Sequence, residues 1–186
     1  MNPQDRLDLF PMGKLDVTLK RMTHQLLEHY GEFEDVVFLG IQTKGVFVAE
    51  RLNSLVAAYL GRSRFPLGVL DATFFRDDFR KRPTPLQANQ TRIDFLIEDK
   101  KVILVDDVLY TGRTVRAALD AMLAYGRPHS VELLVLVDRI HQRELPIEPS
   151  YIGIAVDTIE TQRVIVDLRE EEGVEEDKVY LVSFEE

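Results

Sequence analysis

The chain has no cysteine. Disulfides and thiolate metal sites are therefore excluded. It has no long apolar run: every hydrophobic stretch is broken by charge well short of the roughly 20 residues that span a bilayer. The opening stretch MNPQDRLDLF lacks the basic charge and apolar core of a secretory signal. Positive charge is also in short supply, with 23 Lys and Arg against 32 Asp and Glu and a net charge of −9. Nucleic-acid binding through bulk charge is disfavoured, although a local basic face stays open. Much of the acid sits late, in Glu170-Glu171-Glu172, Glu175-Glu176-Asp177 and Glu185-Glu186, and reads as solvated surface. What remains is a globular, cytoplasmic chain without a membrane segment. Its 186 residues, 45% of them hydrophobic, suit one domain over 1–186 with enough chain to bury a core.

Periodicity supplies the elements. Leu15, Leu19, Met22, Leu26 and Tyr30 fall at helical spacing, which predicts a helix over 14–30 that stops at Gly31. Val36–Ile41 is a short buried strand, and a helix follows over Val46–Leu60. Leu67–Phe75 is strand-like. Residues 76–91 are polar and aperiodic, a long surface loop. Ile93–Ile97 reads as a hairpin partner of the preceding strand. Val102–Val105 is a strand, Val115–Tyr125 a helix closed by Gly126 and Pro128, and Val131–Val137 another buried strand. Tyr151–Val156, Val164–Leu168 and Val179–Phe184 are short strands. Strands alternating with helices predict an α/β fold with a mainly parallel sheet and helices on both faces.

The most informative stretch is Val102–Thr114, VILVDDVLYTGRT. An apolar strand runs into Asp106 and Asp107, and Thr111-Gly112-Arg113-Thr114 opens the next helix. Open α/β sheets place ligands at this edge. Free N–H groups at a helix N-terminus suit a phosphate, Gly112 lets the backbone close around it, and the two Thr hydroxyls add donors. The adjacent acids suit sugar hydroxyls or a hydrated Mg²⁺. Taken singly, paired acids would be a solvated strand end and TGRT a plain helix cap. Strand, acids and loop together in working order favour a site.

A second loop, Gly40-Ile41-Gln42-Thr43-Lys44-Gly45, follows the first buried strand and can offer N–H groups to another anion. Phe74 to Arg82 mixes aromatics with both charge signs. Asp138 to Pro146 follows the strand Val131–Val137 and ends at the same edge, where a base could be recognised.

The Val102–Thr114 pattern resembles the phosphoribosyl-pyrophosphate (PRPP) motif of type I phosphoribosyltransferases. From about Leu15 to Leu168 the pieces, in this order, resemble the PyrR family, pyrimidine-operon attenuators that are also uracil phosphoribosyltransferases. Val102–Ala117, Phe75-Arg76-Asp77-Asp78, Gly126-Arg127-Pro128, Val135–Arg139 and Arg143–Ile147 carry the resemblance. Purine phosphoribosyltransferases with a similar motif place an Asp just before Thr-Gly to take a proton from the purine. Tyr110 stands there, which is no carboxylate base near neutral pH and favours a pyrimidine.

The resemblance implies a twisted sheet with a small hood and a flexible hairpin lid. It implies that Asp106 and Asp107 hold the ribose hydroxyls and act in catalysis with Arg76 of the lid. PRPP would lie along Asp106, Asp107, Val108, Leu109, Tyr110, Thr111, Gly112, Arg113 and Thr114, its 5′-phosphate on Thr111–Thr114. Thr43 and Lys44 would take pyrophosphate, with a cis peptide between them. Arg139 and Val164 would border the base, and Mg²⁺ would arrive through PRPP and water. Uracil as substrate, UMP as product and a homodimer or larger assembly follow from the same resemblance.

An mRNA leader is a further partner of the family. Arg21 and His24 match its RNA-binding residues, but Lys20 replaces a Thr, and Ile154–Glu160 contains no Lys. The RNA surface is reduced. The chain also reads Asp138-Arg139-Ile140-His141-Gln142-Arg143, one residue longer than the family's usual segment, with Ile140 in place of Gly. Two alternatives stay open: an attenuator with secondary or lost catalysis, and a purine-salvage enzyme.

Overall fold

A computed structural model describes residues 6–11, 13–76 and 90–184. The loop expected to form the lid lies largely outside those residues. Five parallel strands make the main sheet, in the order β3 (Leu67–Leu70), β2 (Val36–Ile41), β4 (Lys101–Leu109), β5 (Ser130–Ile140), β6 (Tyr151–Asp157). Three antiparallel strands, β1 (Arg6–Asp8), β8 (Lys178–Ser183) and β7 (Gln162–Asp167), form the hood.

Strand alternation divides the core. Val36, Phe38, Ile103, Val105, Leu134 and Leu136 face α1 (Lys14–Tyr30), α2 (Lys44–Leu60) and the hood residues Val166, Val179 and Leu181. Val37, Leu39, Val102, Leu104 and Val135 face the other way, toward α3 (Arg113–Leu123). Burying one such Leu, Ile or Phe contributes about 1.5–3 kcal/mol. Helix α1 ends as its spacing requires, with the Gly31 N–H donating to the Leu27 carbonyl. Among the described residues no helix is long and apolar enough to cross a membrane.

Three expectations need correction. The strand expected over Leu67–Phe75 stops at Leu70, because the Asp71 carboxylate accepts both the N–H and the hydroxyl of Thr73 and starts a 3-10 turn over Thr73–Phe75. The hairpin expected from Ile93–Ile97 is reduced to one antiparallel bridge between Val69 and Arg92. The motif strand does not end at Val105: pairing with β5 carries β4 on through both acids to Leu109.

Candidate active site

Asp106 and Asp107 lie in the last part of β4, where their carboxyl groups hydrogen-bond each other and the Asp107 N–H donates to Asp106 Oδ1 at 3.0 Å. Asp106 faces α3. It lines a cavity of about 160 Å³ with Arg76, Tyr110, Thr111, Gly112 and Thr114. The charge of Lys44, at the start of α2, acts on Asp107. Burial, then the neighbouring Asp107 charge, pushes the Asp106 carboxyl well above the ordinary carboxylate range, and Arg76 offsets only part of this. Burial also raises Asp107, against the pull of hydrogen bonds and of Lys44. The pair holds a proton more readily than two separate acids.

The loop between β4 and α3 forms the cavity's far wall. Gly112 adopts φ 89° as the residue before the helix, in the left-handed region that favours glycine. Gly112 brings no capping side chain, and the Arg113 N–H donates to the Thr111 hydroxyl at a long 3.4 Å, a contact that an anion at the positive end of the helix can replace. The Arg76 guanidinium donates to the Thr114 hydroxyl at 2.9 Å. The Arg76 cation and the loop before α3 thus meet over Asp106, where they can neutralise a bound anion.

The second loop also lies at this edge. Its cis peptide joins Gln42 and Thr43, one residue before the expected position. Thr43 precedes α2, and a Cβ on Gly45 would overlap the Val105 carbonyl. Backbone contact therefore joins the two loops. The Lys44 ammonium donates to the Val166 carbonyl and pairs with Glu171 at 3.3 Å and Asp167 at 3.9 Å. The lysine expected to hold pyrophosphate is engaged by the hood.

Arg139 is buried on β5. Its guanidinium carbon lies 3.8 Å from the Tyr110 ring centroid, Nε donates to the Thr158 hydroxyl at 2.9 Å, and Nη2 donates to the Gln162 carbonyl at 2.9 Å. Burial lowers the Arg139 pKa. Val164 stands two residues along β7 from Gln162, half-buried against the core. The sequence reading missed Thr158 and Gln162, which fix Arg139, and the hood acids, which hold Lys44. Their signals lie far apart in the chain. Asp138-Arg139, charged residues closing an apolar strand, repeats the signature of Asp106-Asp107 and was legible.

On α1, Arg21 donates to the Ile152 and Gly153 carbonyls at 3.0 and 2.6 Å, and His24 meets the Tyr59 hydroxyl at 3.0 Å. Arg21 is thereby turned onto β6.

Several known proteins are similar to this chain. A family model described as the phosphoribosyl transferase domain matches residues 14–172. The chain is similar to "Bifunctional protein PyrR" of Chloroflexus aurantiacus, 47% identical, with 85% of this chain and 86% of that protein covered. It is likewise similar to the protein of that name from Desulfosudis oleivorans, 45% identical over 93% and 95%. Its fold is that of a hypoxanthine-guanine phosphoribosyltransferase from Bacillus anthracis, with a TM-score of 0.69 at 16% identity over 98% and 99% of the two chains. A hypoxanthine phosphoribosyltransferase of Trypanosoma cruzi matches with a TM-score of 0.66 at 15% identity over 95% and 97%. With the domain match over most of its length and these relatives, the chain belongs to the PyrR family of phosphoribosyltransferases.

Proposed function

We propose that the chain transfers the phosphoribosyl group of PRPP to uracil, giving UMP and pyrophosphate. The observation that carries the pyrimidine choice is Tyr110, stacked against Arg139 where a purine enzyme needs a carboxylate. In this reading the 5′-phosphate sits on Thr111–Thr114, with Val108, Leu109 and Arg113 completing the loop. Asp106 and Asp107 accept hydrogen bonds from the ribose hydroxyls, and Arg76 faces the phosphate. Thr43 and Lys44 meet the leaving pyrophosphate, and Arg139 with Val164 borders the base.

The C1–O bond to pyrophosphate breaks as the C1–N1 bond to uracil forms, and the N1 proton leaves to solvent. Positive charge grows on the ribose while the site supplies orientation and fixed negative charge. The donor set fits Mg²⁺ carried by PRPP: the adjacent carboxylates Asp106 and Asp107 would hold it through water, where it neutralises charge on the pyrophosphate. A cytoplasmic homodimer or larger assembly belongs to the same reading. Incubating PRPP and Mg²⁺ with uracil, hypoxanthine, guanine and orotate in parallel tests it. UMP is the expected product, and efficient use of hypoxanthine without uracil would refute the proposal.

One observation favours a second activity: the relatives' name includes the word bifunctional. The partner would be a pyrimidine-operon leader RNA on the α1 face. Lys20 is exposed there and His24 meets the Tyr59 ring edge-to-face, whereas Arg21 is spent on β6. Binding should be weak, with a shallow log–log salt slope, since each phosphate contact adds only about −0.7 to −0.9. Tight, UMP-enhanced binding in a salt titration would show that regulation dominates.

A further inference from the structure

The segment Ile140–Ile147 ties two parts of the site that the sequence keeps about 30 residues apart. Strand β5 continues to Ile140, pairing with Asp157, and His141 then takes φ 65° and turns the chain. Gln142 donates its amide to the Thr158 carbonyl at 2.9 Å, the residue whose hydroxyl also holds Arg139. Arg143 is then directed back beneath the stack of Tyr110 and Arg139. Its Nη1 donates to the Tyr110 carbonyl at 2.5 Å and to the Arg139 carbonyl at 3.0 Å. Its Nη2 pairs with the buried Asp138 carboxylate, and its Nε donates to the Ile147 carbonyl at 3.1 Å.

One guanidinium thus holds the backbone of both partners in the stack. The next residues continue onto the phosphate loop. The Glu144 and Leu145 N–H groups donate to the Thr111 carbonyl at 3.1 and 3.2 Å, and the Glu144 carboxylate accepts from Arg113 Nε at 2.6 Å. Leu145 and Ile147 also pack within van der Waals reach of a Cβ at Gly112.

We infer that Arg143 is a positioning residue that sets the base-side arm, Arg139, and the phosphate loop, Tyr110–Thr114, in one register, so that pyrimidine and PRPP are bound by a single coupled unit. The inference rests on the phosphoribosyl-transfer reading above. Arginine is required by geometry: the acceptors lie around a planar fork, and a single ammonium can satisfy the Asp138 charge but cannot span the carbonyls of Tyr110, Arg139 and Ile147.

The test compares Arg143→Lys, Arg143→Gln and Glu144→Ala in steady-state kinetics with PRPP and uracil, alongside calorimetric titration of PRPP alone and thermal melts. Arg143→Lys is expected to retain most of the melting temperature through Asp138, yet to raise KM for both substrates about tenfold while kcat changes less than threefold. Arg143→Gln should raise both KM values at least as far, with a lower melting temperature. Glu144→Ala removes only a half-exposed pair and should weaken PRPP alone, by about threefold. Wild-type KM values in Arg143→Lys, or a loss confined to one substrate, would overturn the inference. If Arg143→Gln does not fold, Arg143→Lys and Glu144→Ala still decide. Failure of the wild-type protein to use uracil would count against the function reading instead. The PRPP titrations of wild type and Arg143→Lys would still judge the strap, and equal affinities would overturn it.

Discussion

Two acid clusters in this molecule are built from the same residue types and end in opposite electrostatic states. In the hood, burial alone would raise the Asp177 carboxyl. Arg51 at 2.7 Å and Arg169 at 2.8 Å instead hold it far below the ordinary carboxylate range, and Arg51 grips Glu170 at 2.6 Å as well. At the end of β4 burial wins: Asp106 and Asp107 are both raised, and the nearest cations, Arg76 and Lys44, are committed to Thr114 and to the hood. A carboxylate that holds the fold is given its cations within the chain. The carboxylates proposed to handle substrate are left short of them, so charge balance would come with the Mg²⁺ that PRPP carries.

The largest test of this contrast is Asp106→Asn with Asp107→Asn. Each lost charged hydrogen bond should cost about 1.5–3 kcal/mol in PRPP use, so kcat/KM should fall roughly a thousandfold for the pair. Stability should move the other way. A folded-state pKa above the unfolded value of about 3.9 means that the native protein binds more protons than the unfolded chain in that window. The wild type therefore loses stability as pH rises from about 4 through the raised native values. The double variant should melt higher than wild type at pH 8, and the gain should vanish below pH 4. A lower melting temperature at pH 8 would break the comparison.

Arg51→Met attacks the other cluster. It should cost about 2 kcal/mol in urea unfolding at pH 7, since charge-assisted bonds that are only partly buried are lost. The sign of the pH dependence is reversed here. A depressed carboxyl stabilises the fold above its unfolded pKa and loses that contribution as pH falls below about 4. The acid limb of wild-type stability should therefore flatten in Arg51→Met, with kcat little changed.

Lys44→Met sits between the two cases, because its ammonium serves hood carboxylates and also acts on Asp107. KM for PRPP should rise about tenfold, and stability should drop by less than about 1 kcal/mol, the worth of a partly exposed pair. The smallest effect is expected from Tyr110→Leu, which removes the ring under Arg139. A cation–π contact is worth about 0.5–2 kcal/mol, so KM for uracil should rise roughly fivefold with little change for PRPP. Equal effects on both substrates would point to the phosphate loop instead.

The sequence reading was most faithful where one local rule decides. The spacing of Leu15, Leu19, Met22 and Leu26 places α1, and the unbroken apolar run over Val36–Ile41 is β2. It erred where distant partners override local pattern. Asp106 and Asp107 looked like the end of a strand, yet the ladder to β5 continues past them to Leu109. Leu67–Phe75 looked extended, and a single side-chain turn at Asp71 cut it short. Nothing near Lys44 foretells its hold on Val166, 122 positions away. Nor could an extra residue at Ile140 reveal, by itself, that Arg143 would reach the Tyr110 carbonyl.

The place of β4 has a kinetic corollary. It is the middle strand of five, with β2 on one side and β5 on the other, and Val102 to Val105 are fully buried. Amides there should exchange with solvent only when the whole molecule opens, whereas the three-stranded hood has a route to partial opening. The carboxylates proposed to meet the sugar thus ride on the last part of the chain to come apart, and Val164, proposed to border the base, on an early one. Transient opening of the hood would empty the base pocket and leave the phosphate loop standing.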